Sequence, residues 1–229
     1  MRGSLIDRVR VVFEDDTIVV VDKPAGLLTM ATDSERIQTV YAALRAHANA
    51  RRPPEKIFIV HRLDREASGL IVFAKSVEAK EYLQNQFKDH SAGRRYVALA
   101  EGRVTPDEFT IHSQLAENAA FRVYSTKKPG ASKLAITHVR VVKRNPKTTL
   151  LEVRLETGRK HQIRVHLAER GHPIVGDKAY GSRLNPLRRL ALHGAHLEFR
   201  HPRTQQVMRF DSPATFLVRG FGVPGAEAR

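Results

Sequence analysis

The chain has 229 residues, 41% of them hydrophobic, and carries 39 lysines and arginines against 24 aspartates and glutamates, a formal net charge of +15. That length admits one large domain or two intimately packed halves, and apolar residues spread along the whole chain exclude a disordered basic tail as the carrier of the charge. With no cysteine, disulfides, thiolate catalysis and cysteine-ligated zinc or iron–sulfur centres are excluded.

In chain order, residues 1–13 hold Arg2, Asp7, Arg8 and Arg10 without a long apolar core, which is not the pattern of a secretory leader. Residues 9–13 and 17–21 are β-branched runs separated by Glu14-Asp15-Asp16, so a hairpin is expected, and Asp22-Lys23-Pro24 ends its second strand. Residues 39–50 place Val40, Ala43, Leu44 and His47 at helical spacing. A short strand over 57–60 leads into His61 to Gly69, and another leaves it over 70–74. Ser76 is an N-cap for a helix over 77–88, where Ala79, Leu83 and Phe87 recur every four residues.

Strands follow over 95–100, 109–115, 135–143 and 149–155, then a helix over 161–170 closed by Gly171. A loop punctuated by glycine and proline spans 171–181, a strand lies near 191–199, an apolar segment covers 216–218, and residues 224–229 are expected to fray. Sequential strands mostly pair as neighbours, so the expected class is α+β, with a mixed, mainly antiparallel central sheet flanked by helices.

Several chemistries are missing. No apolar run approaches the ~18 residues that a spanning helix requires, so a membrane partner is not expected and the location is read as cytoplasmic. A nucleotide-hydrolysing loop needs a lysine where Gly176-Asp177 places an aspartate. His161 and His166 are five apart, and no His-Glu-x-x-His occurs, so no metal and no cofactor is expected. The excess of cations points to a nucleic acid.

The segment His61 to Gly69 is the most informative. Asp64 lies two residues from Arg62 and beside Arg65, on a turn between two strand-like runs. Nearby guanidinium groups favour its ionised form, already dominant at neutral pH for a side chain with a reference pKa of about 3.9. Local chemistry alone leaves it a nucleophile, a base or one half of a surface ion pair.

His61-Arg62-Leu63-Asp64-x-x-x-Ser68-Gly69 resembles the catalytic motif of the RluA-type pseudouridine synthases. Upstream, Val21-Asp22-Lys23-Pro24-Ala25-Gly26-Leu27 is similar to that family's Lys-Pro-x-Gly segment. Downstream, Gly158-Arg159-Lys160-His161-Gln162-Ile163-Arg164-Val165-His166 resembles its Gly-Arg-x-His-Gln-x-Arg-x-His block. Gly171-x-Pro173-Ile174-x-Gly176-Asp177-x-x-Tyr180-Gly181, Leu192-His193 and His201-Pro202 continue the likeness in order, over roughly residues 11–215. Two positions depart from the family pattern: Ala67 stands where threonine is usual, and Asp22 where asparagine is common.

The resemblance implies the pseudouridine synthase fold in a single catalytic domain over 1–229, or two closely packed subdomains, with no separate N-terminal RNA-binding domain. It implies isomerisation of uridine to pseudouridine in structured ribosomal or transfer RNA, with Asp64 as the catalytic carboxylate, Arg164 orienting it, and Tyr96 stacking on the everted base. Arg62 is expected to fill the vacated space, and His61, Arg65, Arg159 and Lys160 to bind RNA or assist flipping. Nothing demands more than a monomer. The rival readings are a non-catalytic RNA-binding protein on the same fold and a nucleoside hydrolase using Asp64.

Overall fold

The first hairpin shows how short β-branched runs are turned by one carboxylate. Asp15 Oδ1 accepts from the N–H groups of Thr17 and Ile18, each at 2.8 Å, and this turn joins β1 (Arg10–Glu14) antiparallel to β2 (Ile18–Lys23). The computed structural model describes residues 5–31, 38–128, 130 and 132–217. The expected frayed segment 224–229 and the end of the apolar segment at Val218 lie outside these. Thr39 caps α1 (Val40–Asn49), its side chain accepting from Ala42 N–H, and Ser76 caps α2 (Val77–Lys88) by accepting from Ala79 N–H.

The remaining elements are β3 (Phe58–Ile59), β4 (Ser68–Ala74), β5 (Gly93–Glu101), β6 (Glu108–Glu117), β7 (Val123–Thr126), β8 (Lys133–Arg144), β9 (Thr148–Leu155), α3 (Gln162–Glu169), β10 (Leu192–Arg200) and β11 (Val207–Asp211). Among the described residues the eleven strands form one sheet in the order β1-β2-β4-β10-β5-β9-β8-β6-β7, with β3 on β4 and β11 on β10. Its pairs are antiparallel except β4 with β10. This is the mixed, mainly antiparallel sheet with three helices expected for the class. No described helix is long and apolar enough to cross a membrane.

Alternation along β2 and β4 buries both faces of the sheet. Val19, Val21, Ile71 and Phe73 join the larger core with Val40 and Leu44 of α1 and with Ile163 and Leu167 of α3. Ile18, Val20, Leu70 and Val72 join a second core with Ala79 and Leu83 of α2. Helix α3 ends in a Schellman pattern: Gly171 N–H donates to Ala168 and His172 N–H to Leu167, both at 2.9 Å, with Gly171 left-handed. Two strands were not expected from sequence. β7 and β11 are runs of four and five residues, too short to show a period, and each is a strand because an edge is offered to it by β6 or β10.

Two constraints hold the turn between β3 and β4. At its far end β4 meets β10 through Ser68 opposite His193 and Gly69 opposite Gly194. Gly69 has φ +122°, and a Cβ there would come within 2.4 Å of the Gly194 backbone; only glycine allows that approach. At the near end the wholly buried Lys23 donates to the carbonyls of Pro24 at 3.0 Å, Leu27 at 2.6 Å and Arg65 at 3.0 Å. Burial pulls the Lys23 ammonium down to about 7, against the opposing pull of Asp64 and Glu66.

Replacing Gly69 by alanine is expected to cost about 3 kcal/mol or more, read as a lowered urea midpoint. The Lys23 ammonium makes a second prediction. Its pKa is about 7 folded against 10.5 as the ordinary value, so between those limits the unfolded chain binds more protons and stability rises with pH. Below about 7 both states are protonated and the penalty is full. The unfolding free energy of the wild type relative to Lys23→Met should therefore improve by roughly 3 kcal/mol from pH 7 to pH 10; a pH-independent difference would contradict it.

Candidate active site

Asp64 stands on the turn 60–67, and Arg164 on the first turn of α3. α3 is brought to the turn by burial of Ile163 and Leu167 against the core that also takes Leu63 and Ala67. The guanidinium of Arg164, 4% exposed, divides its donors. Nε donates to Asp177 Oδ2 at 2.7 Å and Nη2 to Asp177 Oδ1 at 2.9 Å, a bidentate pair with a carboxylate that is itself buried. The third nitrogen, Nη1, points to Asp64 Oδ2 at 3.3 Å and to Glu66 Oε2 at 3.5 Å. Burial opposes the charge of Arg164, but Asp177, Asp64 and Glu66 outweigh it and push its pKa further up.

A cavity of about 280 Å³ opens at Asp64, with Arg62, Arg94, Tyr96, Lys160 and Arg164 in its walls and Leu63, Ala67, Ile163 and Leu192 supplying apolar surface. Glu66 faces away from it, into an adjoining hollow with Lys178, Arg188 and Arg189. Of the two carboxylates that Arg164 Nη1 meets, one is thus presented to the cavity. Tyr96 is buried on β5, which raises its hydroxyl pKa, with Arg94 opposing and Asp64 adding to the rise. Tyr180 supports the guanidinium from its ring face, 5.1 Å from Arg164 Cζ, while its hydroxyl meets His161 Nδ1 at 2.9 Å.

The structure thus brings Asp64, Tyr96, Arg164, Arg62, Arg159 and Lys160 to one cavity. His61 and Arg65 are not in its walls. The His61 ring packs on Phe87 with centroids 4.6 Å apart, and Nε2 accepts from Val72 N–H at 3.2 Å. Burial, with Arg94 nearby, holds its pKa down at about 3, so it stays neutral. Arg65 contributes its carbonyl to the Lys23 ammonium and to Gly26 N–H. Arg159 gives Nε to the Leu134 carbonyl at 2.9 Å, and Lys160 pairs with Glu117.

Three residues at or around this site were given no role in it from sequence: Asp177, Glu66 and Lys23. Asp177 had a signal, its place in the Gly176-Asp177 segment, but a bidentate partner 13 positions away leaves no periodic trace. Arg94 lines the cavity without a carboxylate partner among the described residues, and its buried Nε is unpartnered.

A hydrogen-bonded chain ties the turn to the C-terminal strands. His193 Nε2 faces the Ser212 carbonyl at 3.1 Å and so carries the hydrogen; Nδ1 then accepts from Ser68 Oγ at 2.8 Å, which receives Arg189 Nη2 at 2.7 Å. Ser212 Oγ donates onward to Asp22 Oδ2 at 2.6 Å, where Arg10 also donates at 2.8 Å. Asp22 serves here as an acceptor, a role for which a carboxylate suffices. Ala67 adds an apolar wall beside Asp64.

Comparison with known proteins shows the family. The family model described as RNA pseudouridylate synthase matches residues 17–169. The ribosomal large subunit pseudouridine synthase D of Neisseria meningitidis is 36% identical over 215 residues, covering 89% of this chain and 57% of that protein. The Bacillus subtilis RNA pseudouridine synthase YhcT, uncharacterised, is 36% identical over 205 residues, covering 89% of this chain and 68% of its own length. This chain therefore spans little more than half the length of the Neisseria relative. The human RNA pseudouridylate synthase domain containing 1 shares the fold, with a TM-score of 0.74 at 24% identity over 93% of this chain and 86% of its own. By matched family model, identity to these relatives and fold, the chain belongs to the RNA pseudouridylate synthase family.

Proposed function

We propose that this chain is an RNA pseudouridine synthase that isomerises uridine in structured RNA, with large-subunit ribosomal RNA the favoured class because a relative carries that designation. The observation that carries the reading is a single carboxylate, Asp64, presented to an open cleft and held by the remaining nitrogen of a guanidinium whose other donors are taken by Asp177. The continuous sheet supports one catalytic domain.

Departure of uracil from ribose leaves oxocarbenium-like positive charge on the sugar. An ionised carboxylate next to that carbon stabilises the charge either by adding to the anomeric carbon or by removing the adjacent sugar proton. Arg164 keeps Asp64 oriented in the cavity, and the apolar walls limit water, which would otherwise capture the sugar. Uracil rotates within the cavity and rejoins the same sugar carbon through its C5. Tyr96 offers a ring to stack on the base. Its raised pKa keeps the hydroxyl protonated at neutral pH, so it acts in loss of the C5 proton as a hydrogen-bonding relay rather than as a phenolate.

A uridine inside folded RNA reaches Asp64 only by leaving its stack, at a cost of a few kcal/mol. Arg62, exposed at the cavity wall and without a carboxylate partner among the described residues, is placed to enter the vacated space. Arg159 and Lys160 supply positive charge at the rim for phosphate oxygens. His61 and Arg65 serve this site indirectly, His61 by packing under the turn and Arg65 by its carbonyl on Lys23.

The test is release of tritium to water from a large-subunit ribosomal RNA transcript labelled at uracil C5. The wild type should release label with no free uracil; retained label would indicate a binding protein, and free uracil a hydrolase. Asp64→Asn should fold and bind the transcript while losing turnover by about 1,000-fold or more. Arg62→Ala should slow extrusion of a fluorescent base analogue in rapid mixing while association stays near wild type, and equal extrusion rates would remove Arg62 from that role.

A further inference from the structure

Phe121 is 74% exposed, the most exposed large hydrophobic side chain among the described residues. It also has φ +59°, a left-handed conformation that an aromatic residue rarely adopts. The turn 118–122 between β6 and β7 forces this conformation. Asn118 Oδ1 accepts from Ala120 N–H at 3.0 Å and Arg122 N–H at 2.9 Å, while Asn118 O accepts from Phe121 N–H at 2.9 Å. Several hydrogen bonds thus hold a strained residue whose ring stands largely in water, and such strain gathers at functional sites.

The turn is joined to the cavity rim. Lys160, in the cavity wall, places Nζ 3.4 Å from the Phe121 carbonyl and 5.4 Å from the ring centroid. Arg122 lies 5.7 Å from the centroid of Tyr180, the ring that also carries Arg164. Phe121 is thus an exposed aromatic face beside Lys160, which also pairs with Glu117 and lines the space that Asp64 occupies. A nucleobase fits both features, since its face stacks on an aromatic ring while its phosphates meet the flanking lysine and arginine.

We infer that Phe121 is a stacking platform for an unpaired base of the RNA flanking the everted uridine, a contact that helps this enzyme select structured loops. The inference rests on the reading of the chain as an RNA-modifying enzyme. It is specific to Phe121, Lys160 and Arg122 and independent of how Asp64 reacts.

The experiment uses the same tritiated large-subunit transcript. Phe121→Ala should raise KM about tenfold with a much smaller change in kcat, and Phe121→Tyr should restore most of the loss. Phe121→Gly relieves the left-handed strain, so it should melt no lower than wild type yet show the KM of the alanine variant, a combination that a merely structural role does not produce. Because the chain has no tryptophan, Phe121→Trp installs a sole indole whose fluorescence should be quenched when the transcript binds. A KM for Phe121→Ala within twofold of wild type, or an unquenched indole at RNA saturation by filter retention, would overturn the inference. So would a change in sedimentation of Phe121→Ala with KM unmoved, which would assign the ring to contact between copies of the chain. If the wild type released no tritium, the synthase reading would fail while the quenching measurement still decided whether Phe121 stacks on RNA.

Discussion

Everything at the cavity depends on how one buried guanidinium shares its hydrogen-bond donors. Removing a charge from water costs several kcal/mol per ion, and the cost is offset only when geometry and hydrogen bonding are nearly complete. Asp177 meets Arg164 with both carboxylate oxygens, and the Tyr180 ring covers a face of the guanidinium. What remains is one nitrogen whose direction is set by a planar group already clamped at two corners. A lysine would supply equal charge but no such fixed direction. Asp64 therefore faces a cation that cannot swing away, and its charge is held in the cavity rather than paired at large.

The turn that carries Asp64 is also held through its backbone. Lys23 satisfies three backbone carbonyls with an ammonium that burial makes hard to keep protonated. The arrangement gives up intrinsic stability for a backbone path that must pass close beneath Asp64. At the other end the chain from Arg189 through Ser68 and His193 to Ser212 has one consistent direction of hydrogen donation, imposed by the Ser212 carbonyl. That chain and the Gly69 contact join β4 to β10, the one pair of the eleven strands that runs parallel. The site thus lies where two strands distant in sequence come together.

Charge on the rest of the molecule follows a division of labour. Many cations far from the cavity are matched, as in Lys75 between Glu14 and Glu55 or Arg140 with Glu152. Arg62 and Arg94, at the cavity, lack carboxylate partners among the described residues. An unmatched guanidinium at a cleft keeps its field for an anionic ligand, and a chain of net charge +15 draws a polyanion toward it from beyond contact distance.

Much of the fold was legible in the order of residues because its signals are local. The four-residue recurrence of Ala79, Leu83 and Phe87 behind a serine cap defines α2 from Val77 to Lys88, and Gly171 marks the end of α3 through its left-handed φ. Motif order likewise pointed to Asp64, Tyr96, Arg164 and Arg62, since residue type at fixed spacing survives in one dimension. Helix α3 is one residue shorter at each end than its pattern suggested, as His161 turns left-handed before it. The strands β7 and β11 left no trace, because a four- or five-residue run becomes a strand only where a neighbouring edge offers its hydrogen bonds. Asp177 as the clamp on Arg164, the reach of Lys23 to the Arg65 carbonyl, the separation of Asp64 from Glu66 between two hollows, and His61 facing Phe87 are all set by how separate elements pack. Such relations arise from packing and desolvation in three dimensions, and neither has a period that a linear chain can display.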